Sequence, residues 1–378
     1  MIKETKKDWE KNTPKISQKK NFFEKINFYL LMHSSVPLRE KLFFVQHLGV
    51  MLHSGISILT AFRTLAEQTE SKTFSKILKL AASKLEGGTS LTETLKCYPN
   101  IFEELFVNMV ASGELSGKLE EVFKQLYIQM KKQYELTAKV RGALTYPVIV
   151  ICIMAGMAVF MMIYVMPKIM DMFKDYGADL PLATKIMIGL SGFLTEHGLP
   201  VLIVSVALIL FLIKILRTIK GKYIFQGLIL RLPIISGIVK KINLARFART
   251  TSSLLKTDIM IIETFRITAS VLGNLHYRKV VSEIGLSIKR GGQISEVIKK
   301  YPKFFPPVVT QMIIIGEQTG EIDSILEELA KFYEEEVEQI MENLPSIIEP
   351  LLILILGAGV GGMALAVIMP MYSITSAI

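Results

Sequence analysis

Apolar residues fall along this chain in two patterns, long uncharged runs and stripes that recur every three to four positions. Between Arg141 and Lys168 no charged residue occurs, a run longer than the ~20 residues a helix needs to cross a hydrocarbon core. It predicts a membrane helix over 143–166. A second run, from His197 to Ile213, is shorter, but Lys214 and Arg217 extend it, because their aliphatic stems lie in lipid while their charges reach the headgroups. It predicts a span over 198–216. After Glu349 the chain carries no further charge, and 347–370 reads as a third span. The apolar stretch Tyr223–Val239 is broken by Arg231 and Pro233. A charge at mid-bilayer costs about 3 kcal/mol on insertion scales, so this stretch reads as a buried soluble helix and turn.

Outside those runs the spacing is helical. Leu119, Val122, Phe123, Leu126 and Met130 form one stripe, and Ile322, Ile325, Leu326, Leu329 and Phe332 form another. No sustained alternation predicts strands. Gly113 and Gly316 read as helix ends, Ser116 and Thr319 as N-caps, and Glu120 and Asp323 as first-turn acids that suit the helix dipole. The two stripes are copies of one another. A shift of 203 places Tyr98-Pro99 on Tyr301-Pro302, Phe102 on Phe305, Met109 on Met312, Gly113-Glu114 on Gly316-Glu317 and Gly117 on Gly320. The same shift carries Pro147 to Pro350 and Met166-Pro167 to Met369-Pro370; only Gly87-Gly88 and Gly291-Gly292 ask for a slip of one residue.

Lysine and arginine concentrate before the first run and after the second, which by the positive-inside rule puts both soluble regions in the cytoplasm. The middle span then returns the chain, so that the first and third spans run parallel. The expected fold class is an all-α membrane protein with two repeated cytoplasmic helical-bundle domains plus three transmembrane helices. Its order is a basic cytoplasmic tail (1–38), a first helical domain (39–142), a span (143–166), an extracytoplasmic loop (167–197) and a span (198–216). A cytoplasmic linker and second helical domain (217–346), a span (347–370) and an extracytoplasmic tail (371–378) follow. The last helix of each domain is expected to run straight into its span, interrupted only by Pro147 and Pro350.

Composition supports a membrane location: 51% of the 378 residues are hydrophobic, and the mean hydropathy is +0.42. The net charge of +10 is read as the lysine excess of cytoplasmic loops, ahead of a basic surface for nucleic acid. Its distribution is uneven. Leu115 to Arg141 carries six basic residues against three acids, whereas Gln318 to Leu344 carries Lys331 against nine acids. Such a run is usually a solvated face; the sharper alternative is two related surfaces of opposite sign that meet different partners or each other.

No catalytic constellation emerges. Gly113-Glu114-Leu115-Ser116-Gly117-Lys118-Leu119 imitates a phosphate loop but is a residue short, and Leu119 stands where a magnesium-binding hydroxyl is needed. Gly357, Gly359 and Gly362 match a dinucleotide fingerprint but lie inside an apolar span; Gly357 and Gly361 read instead as a small-residue face for close helix packing. Cys97 and Cys152 and the five histidines show no metal or disulfide spacing. Glu349, beside Pro350 at the cytoplasmic mouth of the third span, reads as interfacial. No enzyme activity, cofactor or metal is expected.

Taken together these features resemble protein F of type II secretion systems, the family that includes the inner-membrane platform proteins of type IV and competence pili. The residues that carry the likeness are Phe44, Leu52 and Ser54-Gly55-Ile56, Tyr98-Pro99 with Phe102, Gly113-Glu114 with Ser116-Gly117 and Leu119, and Tyr146-Pro147. In the second copy they are Ala245-Arg246-Phe247-Ala248-Arg249, Tyr301-Pro302 with Phe305, Gly316-Glu317 with Thr319-Gly320, and Glu349-Pro350. Lys256-Thr257-Asp258 departs from the pattern, replacing the glycine of Ser54-Gly55. The resemblance implies a non-enzymatic scaffold in the bacterial cytoplasmic membrane with six-helix cytoplasmic domains. It implies as partners a hexameric assembly ATPase, pilin or pseudopilin subunits, other inner-membrane assembly proteins and further copies of the chain. Gly113, Glu114, Gly117, Pro147, Gly316, Glu317, Gly320, Glu349, Pro350, Gly357 and Gly361 are the candidate structural or contact residues. The rivals are a transporter or channel built from a parallel repeat, for which the spans lack ionisable residues, and a tethered nucleic-acid binder, for which basic and aromatic residues are not interleaved.

Overall fold

The computed structural model describes residues 36–168, 182–233 and 235–375. The tail through residue 35, the stretch 169–181 of the expected loop and residues 376–378 lie outside the described part, with Trp9 and His33 among them. Among the described residues every regular element is helical, as the period of the apolar stripes requires. The chain divides into two compact units, 1–128 and 129–378.

The first unit holds α1 (Leu38–His53), α2 (Ile58–Gln68), α3 (Lys72–Glu86), α4 (Leu91–Lys96), α5 (Glu104–Ser116) and the start of α6 (Leu119–Phe160). Serines set the starts: the Ser57, Ser71 and Ser90 hydroxyls accept from the amides of Thr60, Phe74 and Glu93, satisfying first-turn donors that have no partner within the helix. The core is aromatic. Phe44, Phe62, Phe74 and Phe102 are all buried, and Phe44 meets Phe62 edge-on at 5.3 Å and Phe74 at 5.5 Å between ring centroids. Each such ring contributes roughly 2–3 kcal/mol by leaving water.

The second unit continues α6, which passes through a π-helical segment at Met161–Val165. It then holds α7 (Leu182–Arg217), α8 (Ile219–Ile229), α9 (Ile235–Leu255), α10 (Ile261–Val271), α11 (Leu275–Ile288), α12 (Ile294–Ile298), α13 (Pro307–Thr319) and α14 (Ile322–Thr375). Its core repeats the aromatic quartet at the same shift: Phe247, Phe265, Tyr277 and Phe305 are buried, with Phe247 edge-on to Phe305 at 5.4 Å. The one substitution in the quartet, Tyr277 where the first unit has Phe74, brings a hydroxyl into the core. It donates to the Phe304 carbonyl at 2.9 Å, and burial pushes its pKa far above the ordinary phenol value.

The shift needs no slip. Gly88 and Gly291 both sit at φ +81°, with Gly88 donating to Leu85 and Gly291 to Ile288, so the turn places Gly88 on Gly291. The glycine pairs look offset only because Thr89 stands where the second segment has Gly292.

Among the described residues two helices are long and apolar enough to cross a membrane, Leu119–Lys168 and Ile322–Gly362. The expected middle span is broken: Ser191–Gly198 and Ile203–Arg217 meet at 84° and qualify only if counted as one. His197 leaves helical geometry at φ −117°, and Pro200 inside α7 removes a backbone donor and crowds the preceding turn. The stretch Tyr223–Val239 is a helix and turn as expected, but α8 buries none of its residues, so the expectation of a buried helix is corrected.

Candidate functional site

The Gly-Glu-x-Ser/Thr-Gly signature forms a corner between two helices in each unit, and every residue in it has an architectural task. Gly113 lies inside α5, not at its end. A Cβ there would stand 2.8 Å from Val122 Cγ2 and 3.3 Å from Leu119 Cα, closer than carbon atoms pack. Gly316 meets the matching residues, 3.1 Å from Ile322 Cα and 3.3 Å from Ile325 Cγ1. The glycines therefore let α5 and α13 lie directly against α6 and α14.

The helix ends are Gly117 and Gly320, at φ +72° and +77°, a left-handed conformation that costs a residue with a Cβ roughly 1–2 kcal/mol. Ser116 and Thr319 are not the N-caps of the next helices, although Thr319 Oγ1 also accepts from the Glu321 amide at 3.4 Å just ahead of α14. They are the last residues of α5 and α13, and their hydroxyls donate back to the carbonyls of Ser112 at 2.8 Å and Ile315 at 2.9 Å.

Glu114 reaches a different helix altogether. Its carboxylate accepts from the amides of Leu91 at 2.7 Å and Thr92 at 2.9 Å and from the Thr92 hydroxyl at 2.5 Å, capping the start of α4. Glu317 accepts from the amides of Ile294 at 2.5 Å and Ser295 at 3.3 Å at the start of α12. For Glu114 burial works to raise the pKa, but the hydrogen bonds from Thr92 and Leu91 outweigh it and hold the carboxyl below its ordinary value. A carboxylate occupied by two or three donors is not free for acid–base work. The loop that imitates a phosphate site thus spends its acid on a helix N-terminus, and sequence spacing gave no sign of this, because the donors lie 22 and 23 residues away.

Where the turn between the first two helices of the first bundle uses Gly55 at φ +77°, the second bundle has Asp258 at φ +58°. Aspartate is one of the few side-chain-bearing residues that enters this region readily, so the turn survives the loss of glycine.

The acidic strip on α14 is largely engaged within the unit. Arg249 of α9 grips Glu334 through two bonds of 2.7 Å, Nε to Oε1 and Nη2 to Oε2, with side-chain exposures of 9% and 15%. Lys241 pairs with Glu336, Lys256 with Glu327, and Lys139 of α6 with Glu338. The acids on the exposed face are Glu321, Glu328, Glu335 and Glu342, seven residues apart along one side of the helix, with Glu328 paired to Lys331 at 2.8 Å. Between α6, α9 and α14 lies a shallow open cleft lined by Gln129, Lys132, Arg246, Arg249 and Glu334. Gln129 donates to Thr250 Oγ1 at 3.1 Å; burial lowers the pKa of Arg246. Neither Gln129 nor Arg246 was singled out for this cleft by sequence spacing.

The other candidate residues sit on the long helices. Pro147 is buried within α6, while Glu349 and Pro350 are exposed on α14. Among the described residues nothing lies within 4 Å of a Cβ added at Gly357 or Gly361. Among the described residues no group of three or more His, Cys, Asp or Glu side chains is arranged to hold a metal ion.

Helical bundles whose signature residues build corners, joined to helices long and apolar enough to cross a bilayer, define the class of an all-helical membrane protein. The family model for type II secretion system (T2SS) protein F matches residues 44–167 and again 247–370, and the chain belongs to that family. Among its relatives, a type IV pilus assembly protein PilC of Thermus thermophilus is 36% identical over 89% of this chain and 83% of its own length. The PilC of Pseudomonas aeruginosa is 32% identical over 88% of each chain. A type II secretion system protein F of Aeromonas hydrophila is 29% identical over 93% of this chain and 90% of its own.

Proposed function

We propose that this chain is the inner-membrane platform of a type IV pilus or type II secretion machine, built from two copies of one unit and threaded three times through the membrane. The observation that carries the reading is the doubled family match, whose second segment begins and ends 203 residues after the first. The helix bounds support it: α2 and α10, Ile58–Gln68 and Ile261–Val271, and α5 and α13, Glu104–Ser116 and Pro307–Thr319, obey the same shift at both ends. The aromatic quartets and corners obey it too.

In this reading both bundles and the N-terminus are cytoplasmic. A hexameric assembly ATPase works on the bundles, and pilin or pseudopilin subunits meet the spans together with other inner-membrane assembly proteins. The Gly357 and Gly361 face, open along its length, serves contacts between copies of the chain. Because Glu334 and Glu336 are committed to Arg249 and Lys241, the surface offered to the ATPase is the exposed row Glu321, Glu328, Glu335 and Glu342. The test is the double variant Glu335→Lys and Glu342→Lys in the source bacterium. Loss of ATPase co-purification and of fibre or secretion output, with normal amounts of protein in the membrane, is the expected result. Retained co-purification would reject this docking face. A deletion strain with unaltered pili and secretion would reject the function.

A further inference from the structure

We propose that α8 is an interfacial helix, lying in the cytoplasmic headgroup layer with one face on the second bundle and the other in anionic lipid. The proposal rests on the reading of Ile203–Arg217 as membrane-inserted and adds to it a second, monotopic contact with the bilayer.

The inner face of α8 is fixed. Gln226 acts as a clamp, its Nε2 donating to the Gly273 carbonyl at 3.0 Å and its Oε1 accepting from the Leu275 amide at 2.8 Å. His276 Nε2 meets the Tyr223 carbonyl at 3.1 Å, and Leu230 packs against the bundle core. Tyr223, Gln226 and Leu230, at i, i+3 and i+7, therefore make the docked side.

The opposite side is apolar and bare. Ile224 is 71% exposed, Phe225 44% and Leu228 56%. At roughly 100° per residue these three cluster within one sector, and Lys220 and Lys222 fall on its two borders. A greasy strip with a lysine on each side suits a bilayer surface, where the apolar groups enter the acyl boundary while the ammonium groups reach the phosphates. The flanking sequence carries one sign of charge: Lys214, Arg217, Lys220, Lys222, Arg231 and Lys240 lie in a stretch that holds no acid between Glu196 and Asp258. Anionic headgroups complement such a stretch.

Position follows from the turn. α7 ends at Arg217, and α8 begins two residues later, so α8 leaves the inserted helix at the level where Lys214 and Arg217 place their charges. The turn is tight: the Thr218 hydroxyl donates to the Ile215 carbonyl at 2.6 Å and accepts from the Gly221 amide at 3.1 Å. A Cβ at residue 221 would stand 2.2 Å from the Ile215 oxygen, so α8 starts against the end of α7 only because residue 221 is glycine.

The experiment uses the full chain with Cys97→Ser and Cys152→Ala, reconstituted in vesicles of phosphatidylglycerol and phosphatidylethanolamine. Nitroxides are attached at Ile224→Cys, Leu228→Cys, Leu208→Cys and Lys79→Cys, and oxygen and a nickel chelate report their accessibility. The expected result places labels 224 and 228 about 5–10 Å below the phosphates, label 208 deeper and label 79 in water. In phosphatidylcholine alone, labels 224 and 228 should move outward; equal depth in both lipids would overturn the part assigned to Lys220 and Lys222. Water exposure at 224 and 228 with label 208 in lipid overturns the proposal and leaves the span standing. Protection of 224 and 228 from both reagents marks a protein contact, such as another copy, and also overturns it. Water exposure at 208 as well removes the span and the proposal together.

Discussion

Gly113 is the residue whose role the structure makes most specific. Its α-hydrogen faces Val122 so closely that Gly113→Ala must push the Val122 side chain, 2.8 Å away, and overpacking of this kind costs about 1–3 kcal/mol. The neighbour is a side chain, so Val122→Ala in the same molecule should recover most of the loss. Thermal unfolding of both variants in detergent checks this, and an equally low melting temperature for the pair would contradict it. Glu114 yields a pH dependence. Its pKa is depressed in the folded chain, so its cap contributes fully above the ordinary carboxylate value and is lost as pH falls through the folded pKa. Amide exchange at Leu91 and Thr92, taken relative to the intrinsic rate at each pH, should accelerate in acid in the wild type. In Glu114→Gln it should already be fast at neutral pH, for a loss of roughly 1 kcal/mol. The signature was visible in the sequence as spacing, and its glycines were rightly marked as special. The helix end was assigned to Gly113 and Gly316, however, where the structure has Gly117 and Gly320, because a glycine needed for close approach and one needed for a left-handed turn look alike until the facing helix is known.

At the level of elements, α9 and α14 are joined by charge as well as by apolar packing. Removing the carboxylate with Glu334→Ala leaves Arg249 nearly buried and unpaired, which should cost about 3 kcal/mol. Glu335→Ala, one residue along on the exposed face, should stay within about 0.5 kcal/mol of wild type. Comparing the two melting temperatures tests the assignment, and equal values would overturn it. The excess of acid over base between Gln318 and Leu344 was legible in the sequence. Which of those acids face Lys241, Arg249 and Lys256 was not, since the pairs lie 71 to 95 residues apart. α8 shows the same division: its apolar content was plain, but only the finding that Tyr223, Gln226 and Leu230 dock, while Ile224, Phe225 and Leu228 stay bare, separates a buried helix from one with a free face.

For the whole molecule, the proposed function asks α6, Leu119–Phe160, and α14, Ile322–Thr375, to carry movement between bundle and bilayer. A flexible Gly/Ser insert after Lys139 interrupts the backbone ladder of α6 and also separates Lys139 from its partner Glu338 at the original register. Cells carrying it should hold normal amounts of the protein in the membrane yet assemble no fibres; fibres at the wild-type level would show that α6 transmits nothing.

Long uncharged runs and 3.6-residue stripes depend only on neighbouring residues, so the sequence alone determined the helical class, two helices long and apolar enough to cross a membrane, and the shift of 203 that relates the family's two matched segments. Partners brought together across tens of residues are chosen by packing. The cap that Glu114 gives to α4, the grip of Arg249 on Glu334 and the free face of α8 therefore existed only once the bundles had closed. The break in α7 belongs to both: Pro200 announced a lost donor, but the 84° angle at which the two segments meet is a property of the folded chain.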